Sequence, residues 1–570
     1  MTAAGANAII NSMFNDPGRE TTRMSVFLFL ILVLLPVLVY LNSLPNSFHY
    51  DDMSYILGNE HVHTLSSIPH FFTSSRLISN IPLSGYRPLT MTSFALNYAA
   101  GGANPFGYHL ANVIIHLLNT LLVYGVALSL MRVFKAPYRL YAAAAVAAIF
   151  ASHPINSQAV NYISARSTLL VGTFSLVCIL LYVHMSEVRE GRRKWILLAA
   201  SLLAYAGALL SKEEAVAVPG ILAFFELCRL RTLIDRERLL RAMTSLAPFL
   251  VLTLAFLVLV VYGLGVIENT PQARSLQENL LTQAKSIFIY LRMMVLPVNL
   301  SIDHAVPVAT SLFQPLPLAA VLMLAVVLIG SLSFLFHAPL VSFGIWWFIL
   351  TLVPTSTLIA LKLVVNEQRM YLAGVGLVIA AAAGLARALE SWEEYGLIER
   401  KKYITAGLLI LIICFSGITI YRNTQWRTPL KLWLDALKQY PNSYRANTVV
   451  ADLYLDQDNP AQALPLAEKA MFLAPDVPEI RLILAPPHSR MGRQEDALEQ
   501  ARAAVDLNPA STEAQTLLGV VYARLERYAE AEKAWERAVE LDPTNVEAAE
   551  NLQNVRNILD KQQRTTSAGG

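Results

Sequence analysis

Apolar residues in this chain fall in long blocks separated by short polar segments, up to about residue 421. A helix rises ~1.5 Å per residue, so about 20 apolar residues are needed to cross a ~30 Å hydrocarbon core. Blocks of this kind lie at 24–44, 108–131, 138–153, 166–185, 195–211, 214–229, 245–265, 316–336, 340–361, 370–389 and 404–421, which predicts eleven transmembrane helices. A twelfth stretch, 281–298, is ambiguous: it opens amphipathically with Lys285 and Arg292 and contains Pro297.

Beyond residue 421 the long apolar runs stop. Residues 422–570 carry 17 Lys and Arg against 21 Asp and Glu, which predicts a soluble, mildly acidic part. Here Pro441, Pro475, Pro509 and Pro543 recur every 34 residues, the period of tetratricopeptide (TPR) helix hairpins. Three full repeats are expected at 444–477, 478–511 and 512–545. The last reads Gly519, Tyr522, Ala531, Trp535, Ala538, Pro543; the middle one keeps Ala485, Ala497, Ala504 and Pro509. Small residues let paired helices approach, and each hairpin buries its apolar face by stacking on neighbours. Pro486 and Pro487 fall inside the first helix of the middle repeat, where they are expected to kink or unwind it. Trp433 and Ala436 read as half of an earlier repeat, 546–560 as a polar capping helix, and 561–570 as a disordered tail.

Composition and charge sharpen this outline. Of 570 residues 55% are hydrophobic and 15% charged, with mean hydropathy +0.46. Soluble domains carry ~25% charged residues. The all-α class therefore splits into a polytopic membrane bundle, 24–421, and a soluble α-solenoid, 422–560, after an N-terminal segment 1–23. A net charge of +3 gives no reason to expect a nucleic-acid partner. Cys178, Cys228 and Cys414 have no zinc or disulfide spacing. Basic loops at 132–139, 189–194, 229–241 and 400–402 share one side if 281–298 does not cross. Positive charge marks that side as cytoplasmic. The opposite side then receives "NSFHYDDMSYILGN", the loop at 153–166, "SKEE" at 211–214, "NEQRMY" at 366–371 and the repeats.

Asp51 and Asp52 have two readings. They can cap a helix start at the membrane surface, or supply a carboxylate base for an acceptor hydroxyl. Arg87, which follows Tyr86, together with Arg166, Lys212 and Arg369, lies on the same side. Singly, each reads as an interfacial anchor. Together they fit an anionic substrate, Arg being shaped for phosphate. His153 opens a loop, and Glu213, Glu214, Glu367 and Tyr371 flank the cations. A divalent metal held by the aspartates with His49, His61 and His63 stays open, although no spacing requires one.

The ordered set "HYDDMSYILGN", "YRPLTMTSFALNYAAGGANPFGYHLANVIIHLLNTLLVY", "HPINSQAVNYISARSTLL", "SKEEAVAVPGILAFFEL", "LPVNLSIDH" and "NEQRMYLAGVGL", followed by TPR units, carries a family resemblance. From about residue 24 to 560 the chain resembles the transmembrane and TPR-containing O-mannosyltransferases and their bacterial relatives, within the GT-C glycosyltransferase superfamily. The resemblance implies a GT-C-type bundle in a bacterial inner membrane and a hexose, such as mannose, donated by a polyprenyl-phosphate carrier. It also implies a Ser or Thr acceptor on the extracytoplasmic side, contacted by the TPR domain, and transfer with inversion. Asp51 and Asp52 match the family's acidic pair, one of them the base. Arg369 matches a basic position near the carrier phosphate, with Lys212, Arg87 and Arg166 as further cations. Glu213, Glu367, Tyr371, His153 and Tyr86 stand as support. Lys212-Glu213 matches a Lys-Glu pair whose role is open. Ala373 departs from the pattern where a proline is expected. Two other classes fit the parts less well: a non-catalytic membrane scaffold recruiting partners through TPR units, and a transporter of lipid-linked sugars.

Overall fold

A computed structural model describes residues 17–74, 85–231, 236–263, 274–354, 363–394 and 400–568. The N-terminal segment lies outside them as far as residue 16, as do the ends of the blocks at 245–265 and 340–361. The described secondary structure is helical throughout. The chain divides into two compact units: Met1–Leu300 with Val306–Thr428, and Ser301–Ala305 with Pro429–Gly570.

In the first unit the long helices are α1 Pro17–Tyr40, α2 Pro88–Gly101, α3 Pro105–Val133, α4 Arg139–Ser152, α5 Arg166–Glu187, α6 Arg192–Leu209 and α7 Val218–Leu230. They continue with α8 Arg236–Val258, α9 Leu276–Val295, α10 Pro315–His337, α11 Pro339–Val353, α12 Met370–Glu394 and α13 Arg400–Asn423. Local chemistry explains their starts. Pro88, Pro105, Pro315 and Pro339 stand in first turns, where a missing N–H costs nothing. Asn104 accepts from Phe106 N at 3.1 Å, and Ser275 with Glu278 forms a capping box ahead of α9.

This is an integral-membrane unit, and the spans among its described residues number fewer than eleven. Among the described residues seven helices are long and apolar enough to cross a membrane. The other blocks are helical too. However, α4 and α7 have only 14 and 13 residues, too short alone for a ~30 Å core, and α11 has 15 within the described residues. Helix α6 opens on Arg192, Arg193 and Lys194. The ambiguous stretch forms α9, whose buried Asn279, Gln283 and Ser286 keep it out of the apolar set. The backbones of α11 and α12 approach closely where the two helices cross. A Cβ added at Gly344 or Gly376 would strike the other helix's backbone, the small-residue contact typical of membrane helix pairs.

The second unit is a run of helix pairs in the pattern of a TPR solenoid. First helices begin at Tyr444, Pro478, Thr512 and Val546, and second helices at Pro460, Gln494 and Tyr528. Both series keep the 34-residue step. The helix Pro478–Arg490 runs through Pro486 and Pro487 without interruption, so the expected unwinding does not occur. The φ that Pro fixes is itself helical, and the cost at these two positions is the lost backbone donors. Buried Leu484, Ala485 and Pro487 hold that turn against its neighbours. The helix from Val546 extends to Ala568, past the expected end at 560. Segment 301–305 belongs to this unit: Ser443 Oγ donates to Asp303 Oδ2 at 2.6 Å, and the Tyr440 hydroxyl lies 3.0 Å from His304 Nδ1.

Gly519 carries a test of the solenoid. A Cβ there would lie 2.5 Å from Trp535 Nε1, and that indole N–H donates to Thr516 O at 3.1 Å. Gly519→Ala must displace a buried ring, an overpacking cost of about 1–3 kcal/mol. We expect a lowered unfolding midpoint for this unit in the full chain, read by tryptophan fluorescence, with Gly519→Ser no better.

Candidate functional site

The acidic pair sits just past α1 on a loop that buried amides pin in place. Asn46 Nδ2 donates to Asn161 Oδ1 at 3.0 Å and to Asn423 O at 3.1 Å. Asn161 Nδ2 donates to Asn423 Oδ1 at 2.7 Å, and Asn423 Nδ2 to Val39 O at 2.9 Å. Thus the ends of α1 and α13 and the short helix Ser157–Asn161 are tied together. One turn on, His49 Nε2 lies 2.7 Å from Trp426 O, and Tyr50 adopts a left-handed φ of 37°. That backbone turn sends the two aspartates different ways.

Asp52 points inward and is fully buried. Its Oδ2 accepts from His49 N at 2.9 Å, and its Oδ1 accepts from Ser164 N at 2.7 Å and from the Ser164 hydroxyl. Asp51 is half-buried. Its N–H donates to the Tyr162 hydroxyl at 3.1 Å. Burial, with Asp51 and Asp52 adding, holds that hydroxyl well above its usual range.

Four residues beyond Asp51, on the same helical turn, lies Tyr55. Burial raises its hydroxyl above the ordinary value, with Arg87 opposing and Asp51 and Glu213 adding. Tyr55 therefore stands between the aspartate and an ion pair. In that pair Arg87 Nη2 and Nε donate to the two Glu213 oxygens at 2.7 and 3.2 Å. Partial burial pushes the Glu213 carboxyl up, but Arg87 and then Lys212 outweigh it and bring it to about 2. The loops are stitched beside this pair: Leu89 N donates to Leu210 O at 3.1 Å, and Thr90 Oγ1 to Ser211 O at 3.2 Å.

Lys212 turns away from Glu213. Its ammonium donates to Glu214 Oε1 at 2.7 Å and to Thr168 Oγ1 at 2.8 Å, and both charged side chains are buried. The Thr168 hydroxyl donates on to Gln368 Oε1 at 3.2 Å. That reaches the turn Glu367–Arg369, where Arg369 donates to Val364 O and Leu363 O, each at 3.0 Å. The Tyr290 hydroxyl of α9 fixes the same turn by accepting from Asn366 N at 2.9 Å. Hydrogen bonds thus join Arg87 to Glu213, and Lys212 to Glu214 and through Thr168 to the turn of Arg369, while Asp51 is linked to this set through the charges that Tyr55 feels.

Other candidates have different work. The Arg166 guanidinium is deep in the protein, donating to Asn112 Oδ1 at 2.8 Å, Asn97 Oδ1 at 2.5 Å and Tyr108 O at 3.0 Å. It also stacks 4.8 Å from the Phe94 centroid, so it ties helices together. His153 Nδ1 accepts from Ile155 N at 3.2 Å and Nε2 lies 3.0 Å from Met294 O. Burial lowers this imidazole to about 4, leaving it neutral and structural. The Tyr371 hydroxyl bonds His116 Nδ1 at 2.8 Å and Asn119 Nδ2 at 3.0 Å inside the bundle. Tyr86 donates to Phe72 O at 2.8 Å, and Glu367 is buried in its turn. Among the described residues no group of three His, Cys, Asp or Glu could hold a metal ion. His63 Nε2 lies 2.8 Å from Ile56 O, and its ring stacks on Tyr98. Sequence reasoning missed Tyr55, Tyr162 and Thr168. The first was signalled by its i, i+4 spacing from Asp51; the others lie in the quoted motif but have no charge to draw attention.

Burial raises the Asp52 carboxyl from 3.8 to about 7, with its hydrogen bonds from Ser164 and His49 opposing. The folded state therefore keeps a proton that the unfolded chain releases near its ordinary value. Asp52's contribution is fully present below about pH 4 and falls as pH rises to about 7. We expect the difference in thermal midpoint between wild type and Asp52→Asn to change across that window and to be flat above it. A pH-independent difference would show that Asp52 is not held neutral.

A tetratricopeptide repeat family model matches residues 482–546. Over 213 residues the chain is 34% identical to Protein O-mannosyl-transferase Tmtc2 of Drosophila melanogaster, covering 36% of this chain and 22% of that one. Over 448 residues it is 25% identical to Protein O-mannosyl-transferase F38B6.6 of Caenorhabditis elegans, covering 75% and 61%. Over 499 residues it is 25% identical to human Protein O-mannosyl-transferase TMTC3, covering 81% and 53%. The chain thus spans from about a fifth to three-fifths of the length of these curated relatives. It is a membrane protein with helix-pair repeats, related in sequence to proteins named protein O-mannosyl-transferases.

Proposed function

We propose that this chain is an integral-membrane glycosyltransferase. It moves a hexose, such as mannose, from a polyprenyl-phosphate carrier to a Ser or Thr hydroxyl of a protein, on the extracytoplasmic side of a bacterial inner membrane. Asp51 takes the hydroxyl proton. The acceptor oxygen forms its bond to the anomeric carbon from the face opposite the phosphate. The carbon–oxygen bond to phosphate breaks, its electron pair stays on the phosphate, and the configuration inverts. Lys212 and Arg369 receive the departing charge, as oriented cations do most effectively out of bulk water. Arg87 and Glu213 position Tyr55 and the loop, and Asp52 braces the turn that presents Asp51. The TPR unit holds the acceptor protein.

One observation carries this reading: hydrogen bonds tie Arg87 to Glu213 and Lys212 through Thr168 to Gln368 beside Arg369, and the charges of Arg87 and Asp51 both act on Tyr55, so loops more than 300 residues apart in sequence converge. A membrane anchor for a scaffold has no use for such convergence. The test is transfer of sugar from defined polyprenyl-phosphate hexoses to a peptide panel by the purified full chain. Product with inverted anomeric configuration is the expected result. No transfer from any carrier, together with retained capture of peptides, would favour the scaffold.

A further inference from the structure

Both aspartates are held from one short stretch of the chain, Tyr162-Ile163-Ser164. Ser164 gives its N–H and its hydroxyl to the Asp52 carboxylate. Two residues back, the Tyr162 hydroxyl accepts from Asp51 N at 3.1 Å. A phenol has one proton to donate as well as lone pairs to accept with. Having accepted from the Asp51 backbone, this one meets the Asp51 carboxylate with its own proton. A hydroxyl that closes on both the N–H and the carboxylate of one residue limits that side chain to the rotamer that brings the two within reach.

The hydroxyl is itself placed by rigid parts. Tyr162 N donates to Gln158 O at 3.0 Å, and Ala165 N donates to Tyr162 O at 3.0 Å, so the backbone of Tyr162 is committed on both sides. Its ring centroid lies 5.8 Å from that of Trp426, with 32° between the planes. Trp426 is fully buried, and its carbonyl oxygen lies 2.7 Å from His49 Nε2. Ile163, between the two gripping residues, is fully buried as well. A brace for the loop alone would need only an acceptor for the Asp51 N–H, which any carbonyl or amide oxygen could supply. The proton presented to the carboxylate is the additional feature.

We propose that Tyr162 is the positioning residue of the base: its hydroxyl holds one oxygen of the Asp51 carboxylate, and the other oxygen is thereby turned to the acceptor hydroxyl. A carboxylate fixed in this way need not be oriented at the moment of reaction, which lowers the entropic part of the barrier. Tyr162 acts only through Asp51. The inference rests on Asp51 as the base, as proposed above.

Tyr162→Phe keeps the ring and removes the hydroxyl. In the purified full chain it is expected to lower kcat by about tenfold to hundredfold, the loss of one hydrogen bond to a charged group. KM for the carrier and the thermal midpoint should stay near wild type. In an Asp51→Asn background the same change should cost less than about twofold, because the base it serves is absent. An equal factor in both backgrounds would make Tyr162 a loop brace and overturn the inference. A second readout needs no transfer: labelling of Asp51 by a water-soluble carbodiimide with an amine, located by peptide mass spectrometry. Tyr162→Phe should speed the labelling of Asp51 severalfold and leave that of Asp52 unchanged. Unchanged labelling of Asp51 overturns the grip whether or not the chain transfers sugar. Faster labelling in a chain that transfers nothing supports the grip and rejects the transferase reading instead. Should Tyr162→Phe fail to fold, 3-fluorotyrosine in place of Tyr162, a stronger donor of nearly the same shape, decides. Slower labelling of Asp51 is then expected, and an unchanged rate overturns the proposal.

Discussion

Asp51→Asn is expected to lower sugar transfer by about 10²–10⁴-fold, the span ascribed to a positioned general base, while leaving the thermal midpoint near wild type. Both halves follow from where the aspartates stand. Asp51 is half-buried, and its backbone N–H and carboxylate both meet the Tyr162 hydroxyl, an interaction that an amide can keep in part. Asn at that position is nearly isosteric, so the loop should keep its shape while the base is gone. Asp52 makes the opposite case, since its carboxylate is spent on Ser164 and His49. Asp52→Asn should therefore register first in stability, and in transfer only as far as the turn at Tyr50 relaxes. The pair thus separates chemistry from support by direct comparison: transfer rate per folded molecule, with folded fraction read by size exclusion. If Asp51→Asn transfers at the wild-type rate and Asp52→Asn does not, the base is assigned to the wrong neighbour. If both transfer normally, the site does no acid–base work.

Much of this arrangement was legible in the chain before any coordinates. Hydrophobic blocks gave the membrane helices, because burial in lipid demands long apolar runs. Prolines every 34 residues gave the repeat, because each hairpin ends at the same place in its stack. Pattern failed where length and packing trade off. Helices α4 and α7 are apolar but short, and an apolar block does not say whether it spans alone or is buried among neighbours. It failed again at Pro486 and Pro487, where burial of the surrounding turn overrides intrinsic propensity. In the site, charge marked the right loops but not the pairings. Lys212 could as well have met either adjacent glutamate; the extended backbone at Lys212 gives it Glu214 and leaves Glu213 to Arg87. Arg166 shows the converse. Its charge suggested a phosphate ligand, but a guanidinium at a helix start also suits the amide-rich interior it occupies. Nothing linear tells those two fates apart.

The Lys212–Glu214 pair offers the second large effect, and it separates stability from chemistry. Both side chains are buried, 7% and 3% exposed, with 2.7 Å between ammonium and carboxylate. Removing one partner strands the other charge away from water, a cost of about 3–5 kcal/mol. Lys212→Met and Glu214→Gln alone should each lower the thermal midpoint sharply. Replacing both with apolar residues of similar volume removes two desolvation penalties along with their attraction. The double variant Lys212→Met/Glu214→Leu should therefore regain most of the lost stability, giving a strongly non-additive cycle. Transfer should not follow it back. The Lys212 ammonium has three N–H donors, of which Glu214 and Thr168 engage two; the third is the one proposed to meet the departing phosphate. A stable double variant without transfer is thus the expected outcome, measured as rate per folded molecule at saturating carrier. A stable double variant with full transfer would reduce Lys212 to an architectural residue and leave the phosphate to Arg369. Additive losses in the cycle would instead mean that water reaches the pair, and that the loop carrying it is open to solvent when no substrate is bound.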